Sequence, residues 1–583
     1  MRRFAVLLLF VVALLLGLPA AAAVAPFGPP TSTGTGGAAA SVETLASQAA
    51  IDTLKAGGNA VDAAVAAAAV LGVTEPFSCG LGGGGFMVIR PAHGKVTTID
   101  GRETASEAMT PASFWENGVP LPFNDARWSG MSVGVPGTPA TWEKALKKYG
   151  TMKLAQVLQP AIGVARNGFV VDQTFFDQTN GALDWFNDIP TTAALYLDPD
   201  GTPHDVGTTF RNPDLAHTYE RIAKHGMKEL YRGDIARAIV DTVQHPNPAP
   251  TANHVWRPGV MTLSDLKDYR ALKRKPTHVR YRGLDVYSMG PPSSGGSTVG
   301  EALNILEGYD LSSMTREQAF HYFLEASRYS FADRNAYLAD PEYYDVPLKG
   351  LLSDDYAATR RALITTTAAS PPVVQPGDPY PYVKGQASAT ATQTETTTHL
   401  VTSDKKGNVV SYTFTIESTG GSGLLVPGYG FLLNNELTDF NYDSATHPNH
   451  VEGGKRPRSS MAPTIVLDHK KPFLALGSPG GSTIITTVLQ ILFDRLDQGM
   501  TLPQAIADPR ASQRNTASTS SEPAFLSSPL MTLLQARGHA FSNGGEIGAA
   551  TGIEFLGGGN LLAAAEPVRR GTGSALVVSP AAP

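Results

Sequence analysis

The stretch Thr396-Thr397-Thr398-His399-Leu400-Val401 stands between a polar, proline-rich run and an apolar, strand-like run. A threonine hydroxyl is a poor nucleophile by itself and needs an adjacent base to accept its proton. A cut just before Thr397 would supply that base, because the new α-amine would have a pKa of about 7.7–8.0. Threonine runs are also common in ordinary strands. The stretch therefore indicates a self-activating nucleophile only in combination with the rest of the chain.

The residues after this stretch predict a β-hairpin. Two strand-like runs, 400–403 and 409–415, flank the turn Lys405-Lys406-Gly407-Asn408. A hairpin centred on Lys406 places Thr397 opposite Thr415, close enough for the two hydroxyls to meet. A slip of one residue would separate them, so the pairing depends on this register.

A second hairpin, over 464–467 and 473–476, leads directly into Gly477-Ser478-Pro479-Gly480-Gly481. Ser482 is then expected to cap a helix rich in Ile and Leu. Backbone N–H groups at the start of a helix attract negative charge. They are candidates for an oxyanion hole, which stabilises the charge that develops on a carbonyl oxygen under attack.

The chain divides into segments of different composition. Residues 1–25 have the charged start, apolar centre and small-residue end of a secretory signal, with a retained membrane anchor as the alternative. Residues 26–40 predict a disordered leader, and residues 368–395 predict an exposed linker. A cut between Thr396 and Thr397 would leave a large piece, 41–396, and a small piece, 397–583. The expected location is secreted or periplasmic.

Several other patterns exclude functions. The run from Gly80 to Gly85 matches a dinucleotide fingerprint, but a helix precedes it and a strand follows it, so a close backbone approach is the better interpretation. Ser132 sits in a Gly-x-Ser-x-Gly pattern without the helix that a nucleophile elbow requires. Cys79, the single cysteine, is expected to be buried. The net charge of −6 argues against nucleic-acid binding, and no histidine pair has the spacing of metal ligands.

Taken together, the motifs resemble the γ-glutamyltranspeptidase family of N-terminal nucleophile hydrolases. The similarity covers nearly the whole chain from Thr44 onward and rests on many short blocks in order. These are Gly57 to Ala64, the glycine-rich run through Phe86, Gly101 to Ala105, Gly134 to Thr138, Pro291 to Gly296, Thr397 to His399, Asn434 to Phe440, Lys455 to Met461 and Gly477 to Gly481.

The resemblance implies a mixed α/β fold, a four-layer αββα sandwich formed by large and small subunits cleaved from one precursor. It implies that Thr397 is the nucleophile, that its freed amine is the base, and that Thr415 orients it. Gly480 and Gly481 match the oxyanion hole. The implied reaction transfers a γ-glutamyl group, from glutathione or a similar donor, to water or to an amino acid or peptide. No cofactor or metal is implied, and the large and small subunits of one precursor are expected to form a heterodimer.

The substrate-binding positions also follow from the resemblance. Arg102 matches the residue that holds the substrate α-carboxylate, a task suited to a bidentate guanidinium. Ser459 and Ser460 match residues that help to hold that carboxylate, and Asp439 matches the one that takes the α-ammonium group.

The chain departs from the family pattern in three respects, one of which is Thr396 before the scissile bond, where other members have different side chains. Glu417 and Glu436 stand where some members have Asn and Gln, and a carboxylate can still accept a hydrogen bond from an ammonium group. Residues 440–458 are short compared with members that carry a lid there, which predicts an uncovered pocket.

Two other functions compete with this interpretation. A cephalosporin or glutaryl acylase has the same fold and nucleophile but takes a substrate without the α-amine. An inactive exported binding protein would use the same pocket without cleavage. The combination of Arg102 and Asp439, suited to a zwitterion, and the presence of Thr397 favour the γ-glutamyl enzyme.

Overall fold

The computed structural model describes residues 30–382, 397–571 and 573–581. The predicted signal, Thr396 and the second half of the predicted linker lie outside these ranges, so export and the cleavage bond stay predictions. Among the described residues, no helix is long and apolar enough to cross a membrane.

Twenty strands are assigned in the described residues. They are β1 Thr31–Ser41, β2 Gly84–Arg90, β3 Thr97–Gly101, β4 Trp115–Glu116, β5 Val119–Pro120, β6 Phe169–Val170, β7 Thr209–Phe210, β8 Leu272–Arg274, β9 Thr277–Tyr281, β10 Leu284–Ser288, β11 Thr398–Asp404, β12 Val409–Thr415, β13 Thr464–Asp468, β14 Lys471–Gly477, β15 Ala511–Ser512, β16 Thr519–Ser521, β17 Phe541–Asn543, β18 Thr551–Gly557, β19 Asn560–Ala565 and β20 Ser574–Pro580.

The α-helices of the same residues are α1 Thr44–Lys55, α2 Ala60–Thr74, α3 Phe123–Arg127, α4 Thr138–Tyr149, α5 Leu154–Val157, α6 Gln159–Asn167, α7 Gln173–Phe186, α8 Pro190–Tyr196, α9 Pro213–His225, α10 Lys228–Arg232, α11 Asp234–Gln244, α12 Leu263–Asp268, α13 Gly295–Glu307, α14 Arg316–Tyr337, α15 Leu348–Leu351, α16 Asp354–Arg361, α17 Thr483–Leu496, α18 Leu502–Ala507, α19 Pro523–Leu526 and α20 Pro529–Ala536.

The principal sheet follows the order β8-β3-β2-β12-β11-β1-β19-β18-β14-β13-β10-β9, and β20 also pairs with β1. The sheet is curled, as contacts of β12 with β13 and β14 show, since these strands are far from β12 in the strand order. Ser411 Oγ on β12 donates to the carbonyl of Leu476 on β14 at 3.0 Å and accepts from the N–H of Thr464 on β13 at 3.1 Å. The two arms of the sheet therefore face each other as two layers.

Alternate side chains of β2 enter different cores, as the two-residue period of a strand requires. Met87 and Ile89 join the core formed with α2, whereas Phe86 and Val88 join the core shared with the facing arm of the sheet. Helices α13 and α17 contact that other arm on its outer side. The predicted four-layer αββα arrangement is confirmed.

Strands from before and after Thr397 alternate within this sheet. β1 pairs with β11, β2 pairs with β12, and β10 pairs with β13. β1 also pairs with β19 and β20. The two pieces that a cut at Thr397 would produce are therefore hydrogen-bonded to each other along five strand pairs.

The predicted disordered leader, 26–40, is wrong for its described part. Residues 31–40 belong to β1, which pairs with β11, β19 and β20 in the middle of the sheet. The run is rich in small residues because its neighbours are crowded against it. A Cβ added at Gly34 would lie 2.2 Å from the carbonyl oxygen of Ser579.

The predicted exposed linker, 368–395, is confirmed only in part for its described residues, up to 382, because most of them are exposed but some are packed against the folded body. Val374 and Tyr380 are buried, and the backbone N–H of Val374 donates to Oδ1 of Asn515 at 2.8 Å. The N–H of Ser370 donates to Glu325 Oε2 at 3.1 Å. These contacts hold the start of the segment against the folded body.

Both hairpins and the interpretation of the glycine-rich run are confirmed. Cβ atoms added at Gly82, Gly83 and Gly85 would lie within 2.4 Å of backbone carbonyl oxygens, so this run is a close approach between backbones. Ser132 is buried in a short 3₁₀ turn, and its hydroxyl donates to backbone carbonyls. Cys79 is buried, as expected.

Candidate active site

The two predicted threonines face each other. The ladder between β11 and β12 pairs Thr398 with Phe414 and His399 with Thr413, which continues to Thr397 opposite Thr415. Thr397 Oγ1 lies 3.4 Å from Thr415 Oγ1, at the long end of a hydrogen bond. Both residues are almost completely buried. The predicted register is therefore confirmed, and a hydroxyl is held beside the candidate nucleophile.

Thr415 is fixed from two further directions. Its hydroxyl accepts a hydrogen bond from the backbone N–H of Glu417 at 2.8 Å. Gly83 of the glycine-rich run lies so close that a Cβ there would be 1.9 Å from the carbonyl oxygen of Thr415. The local backbone around the hydroxyl pair thus leaves Thr415 little freedom.

Glu417 has a φ of 78°, which non-glycine residues rarely adopt and which costs about 1–3 kcal/mol. Its carboxylate accepts hydrogen bonds from the Ser418 hydroxyl and from the side-chain amide of Asn435. The N–H of Ser418 also donates to Asn435 Oδ1 at 3.0 Å. Asn435 therefore holds the strained turn after Thr415 against the segment that carries Glu436 and Asp439.

Arg102 is fully buried and lies between two of the predicted carboxylates. One terminal nitrogen donates to Glu436, and the other donates to Asp439. Nε and the second terminal nitrogen also donate to the carbonyls of Pro457 and Arg458, each at 3.1 Å. The groups predicted to hold the two charges of a substrate are thus paired with one another in the uncut chain.

The charges in this cluster influence one another. Burial opposes the charge on Arg102, but Glu436, Asp439 and Glu103 outweigh it and raise the pKa of the guanidinium above its usual value. Burial raises the pKa of Glu103 to about 8, against the effect of Arg102. Burial also raises the pKa of Glu417 to about 8 and that of Glu436 well above its usual range. Protons on this cluster therefore limit its negative charge near neutral pH.

Ser459 and Ser460 follow immediately after the carbonyls that Arg102 contacts. Ser460 Oγ accepts from a terminal nitrogen of Arg334 at 2.7 Å, and Arg334 Nε donates to Ser294 Oγ at 2.8 Å. The backbone N–H of Ser294 donates to the carbonyl of Ser459 at 2.7 Å. The two serines thus lie beside Arg102 along the chain, and Ser294 and Arg334 hold them there.

The sequence predicts that the short segment 440–458 leaves the pocket uncovered, and the structure of the uncut chain does not bear this out. Asn449 is fully buried, and its side-chain amide donates to the carbonyl of Asp439 while its oxygen accepts from the N–H of Arg458, both at 2.7 Å. The segment therefore closes tightly on itself and joins the two ends of the site. Every candidate side chain is at most 5% exposed.

His399 links the hydroxyl pair to the second hairpin. Burial lowers the pKa of His399 to about 3, so the ring is neutral, and its Nδ1 lies 2.8 Å from Thr413 Oγ1. The ring packs directly on the backbone of Gly477, where a Cβ would lie 2.3 Å from Cε1 of His399. Packing against His399 thus fixes the strand end that leads to Gly480 and Gly481.

We expect Gly477→Ala to lower the free energy of unfolding by about 1–3 kcal/mol, because the buried ring has no space to move. Urea unfolding in a Thr397→Ala background, which keeps the chain uncut, measures this loss. Gly163→Ala in α6 is the matched control, since a Cβ there meets nothing within 4 Å. Equal stability of the two variants would contradict the proposed contact.

Gly480 and Gly481 precede α17. Gly480 has a φ of 119°, which requires glycine, and Ser482 occupies the N-cap position without a side-chain capping bond. Ser482 Oγ instead accepts from Arg514. Within the described residues, no hydrogen bond takes up the backbone N–H of Gly480 or Gly481, and none joins them to Thr397. The two donors remain available to an anion.

Some residues of this region escape sequence reasoning. Arg570 donates to the carbonyl oxygen of Thr397 at 3.0 Å, and its pKa is lowered by burial. Arg334 and Asn435 hold the serines and the Glu417 turn, as described above. Asn435 stands inside a recognisable block, but nothing in the sequence places either arginine near Thr397 or Ser460. No group of three His, Cys, Asp or Glu in the described part of the chain is placed to hold a metal.

Comparison with known proteins gives consistent results. Residues 46–576 match the family described as gamma-glutamyltranspeptidase. A glutathione hydrolase proenzyme of Bacillus subtilis (strain 168) is 39% identical over 87% of this chain and 86% of its own length. The corresponding proenzyme of Escherichia coli (strain K12) is 36% identical over 96% of both chains. The structure of a cephalosporin acylase from Bacillus halodurans covers 96% of this chain and 98% of its own, with 28% identity and a TM-score of 0.81.

Proposed function

The chain belongs to the gamma-glutamyltranspeptidase family, and from this premise we propose that it is an enzyme that cleaves the γ-glutamyl amide bond of glutathione and related compounds. The γ-glutamyl group passes through an ester on Thr397 to water or to the amine of an amino acid or peptide. The observation that carries the proposal is the Arg102, Glu436 and Asp439 cluster beside the Thr397 and Thr415 pair.

The first step is self-cleavage between Thr396 and Thr397, which gives a large subunit that ends at Thr396 and keeps β1, and a small subunit of residues 397–583. Thr397 Oγ attacks the carbonyl carbon of Thr396, and the peptide bond breaks as an ester forms. Water then opens the ester, which leaves a carboxylate on Thr396 and a free α-amine on Thr397. Thr415 supplies a hydrogen-bond partner for the attacking hydroxyl.

In turnover, the freed α-amine accepts the proton of Thr397 Oγ as this oxygen attacks the γ-carbonyl of the donor. The backbone N–H groups of Gly480 and Gly481 are suited to hold the oxyanion. The proton passes to the leaving amine, and the glutamyl ester remains. Water or an acceptor amine then attacks the ester, and Thr397 Oγ recovers its proton.

Substrate binding can proceed by exchange of ion pairs. The α-carboxylate of the donor replaces the protein carboxylates on Arg102, with Ser459 and Ser460 as further partners. Asp439 and Glu436, once released, take the α-ammonium group together with Glu417. A zwitterion completes this exchange without leaving a charge unpaired, and an anion without the amine does not.

We therefore expect L-γ-glutamyl-p-nitroanilide to exceed glutaryl-p-nitroanilide in kcat/KM by about a hundredfold or more, since unpaired buried charges cost several kcal/mol. The two anilides share a leaving group and differ only in the α-amine. Mass spectrometry of the same sample must first show the cut at Thr397. Equal or better hydrolysis of the glutaryl compound would instead identify an acylase, the second candidate, which the likeness to the cephalosporin acylase favours.

A further inference from the structure

A cleft of about 400 Å³ lies outside the candidate active site, between α4, α10 and the segment at the end of α12. We call it the basic cleft, because six cationic side chains line it. They are Lys144, Lys147, Lys228, Arg232, Lys267 and Arg270.

These cations lack ion-pair partners in the part of the chain that the structure describes. None of the six forms an ion pair with a carboxylate of the described residues, although the protein as a whole has a net charge of −6. Glu143 is the one acidic residue of the lining, and it pairs with none of them. Five of the six cations are exposed, and Lys144 is half-buried. The cleft is thus a local concentration of positive charge on an acidic protein.

Helix ends do not account for this concentration. Lysine and arginine are common in the last turn of a helix, where they interact with the helix dipole, and this explains Lys147 or Arg232 individually. It does not explain why three separate elements direct such residues into one concavity. The pKa of Lys144 is lowered by partial burial and by the charges of Lys148 and Arg456, against the effect of Asp100, so two cations outside the lining add to the positive charge around Lys144.

The cleft also has a rigid floor. The rings of Tyr231 and Tyr269 stack with centroids 5.8 Å apart and planes 5° from parallel. Arg270 donates to the carbonyls of Lys267 and Tyr269 at 2.8 and 2.6 Å, and Lys144 Nζ donates to the carbonyl of Ala271. Because Arg270, Lys144 and the stacked rings are already held in place, less conformational entropy is lost when a ligand binds.

We propose that the basic cleft binds a compact anion with three or more negative charges, of the oligophosphate or oligocarboxylate class. The volume suits a small molecule. The two tyrosines are almost completely buried, so they offer no surface for stacking nucleobases. The charge, the shape and the missing counter-ions thus converge on one kind of ligand. The inference does not depend on the proposed activity.

The floor connects the basic cleft to the candidate active site. The Tyr269 hydroxyl donates to the backbone carbonyl of Arg102 at 2.8 Å, and the guanidinium of Arg456 lies over the Tyr269 ring. Arg456 also donates to the same Arg102 carbonyl at 3.1 Å. An anion in the basic cleft would therefore bind beside Tyr269, whose hydroxyl is hydrogen-bonded to the backbone of Arg102.

Isothermal titration calorimetry at 50 mM NaCl tests the proposal with two probes, inorganic tripolyphosphate and citrate. The cleft variant changes Lys147, Lys228 and Lys267 to Ala. The control variant changes three exposed lysines elsewhere, Lys55, Lys405 and Lys471, to Ala and so has the same net charge. We expect the cleft variant to bind the preferred probe at least about tenfold more weakly than the wild type, and the control variant to bind it within about twofold.

The two probes distinguish the source of the anion. A tenfold loss of affinity for tripolyphosphate alone assigns an oligophosphate ligand. A loss of affinity for citrate alone assigns an oligocarboxylate. A loss for both probes assigns the charge that the two classes share. The melting temperature of the cleft variant without ligand should equal or exceed that of the wild type, because repulsion is relieved. If both probes bind the wild type and the cleft variant equally, or not at all, the proposal is overturned.

Discussion

Thr397→Ala is expected to remain a single uncut chain and to lose at least about four orders of magnitude in kcat, because the proposed nucleophile and its amine base depend on this one residue. Denaturing gel electrophoresis and N-terminal sequencing measure the cut, and γ-glutamyl anilide hydrolysis measures the activity. Thr397→Ser keeps a hydroxyl and should still be cut and active, at a reduced rate.

The neighbouring residue gives a matched control. Thr398 is buried and points to the opposite side of β11, and its hydroxyl has no hydrogen-bond partner among the described residues. Thr398→Val preserves its shape, so this variant should be cut normally at the same bond. Two results would refute the assignment of Thr397 as the nucleophile. One is cleavage of the Thr397→Ala chain before residue 397, and the other is loss of cleavage in Thr398→Val but not in Thr397→Ala.

The second large effect is expected at Arg102. Arg102→Lys keeps a positive charge but replaces the planar guanidinium with a single ammonium group. The ammonium cannot make the paired hydrogen bonds by which the guanidinium contacts Glu436, Asp439 or a substrate carboxylate. We expect kcat/KM for γ-glutamyl anilide to fall roughly thirtyfold or more, mainly through KM, since such losses cost about 2–5 kcal/mol. Arg102→Ala should lose more and should also destabilise the protein, because it leaves buried carboxylates without a counter-charge.

A second buried arginine, Arg510, provides a control that separates effects on substrate binding from effects on protein stability. Arg510 pairs with Glu566 at 2.9 Å and donates to backbone carbonyls in another part of the small piece. Arg510→Lys should lower the melting temperature without raising KM. An Arg102→Lys variant that is cut normally and keeps its full kcat/KM would remove Arg102 from the substrate site.

The sequence predicts those parts of the site that depend on neighbours along the chain. The register that places Thr397 opposite Thr415 follows from counting through a four-residue turn. The glycine-rich run is interpretable because its local context excludes a nucleotide loop. The hairpin is determined by residues within about twenty positions of each other, and the nucleotide loop is excluded by the helix and strand that flank the glycines, so composition and spacing carry this information. The carbonyls that the glycines approach lie more than 300 positions away and cannot be identified in this way.

Other parts depend on distant partners and cannot be deduced in this way. The small residues of 31–40 have the composition of a disordered leader, yet they form β1 because strands from near 400 and 575 surround them. The mutual pairing of Arg102 with Glu436 and Asp439 joins residues more than 300 positions apart. Arg570 reaches Thr397 only through the fold of the C-terminal strands.

The alternation of strands from both sides of Thr397 has a further consequence for the lifetime of the enzyme. Before the cut, the sheet assembles within one molecule. After the cut, unfolded pieces would have to meet in solution and re-form five strand pairs, so their recovery would depend on protein concentration. The lifetime of the cut chain would therefore be set by how slowly it unfolds, and its precursor is the form that can fold within one molecule. Each molecule in effect folds once, and self-cleavage makes that folding event hard to repeat.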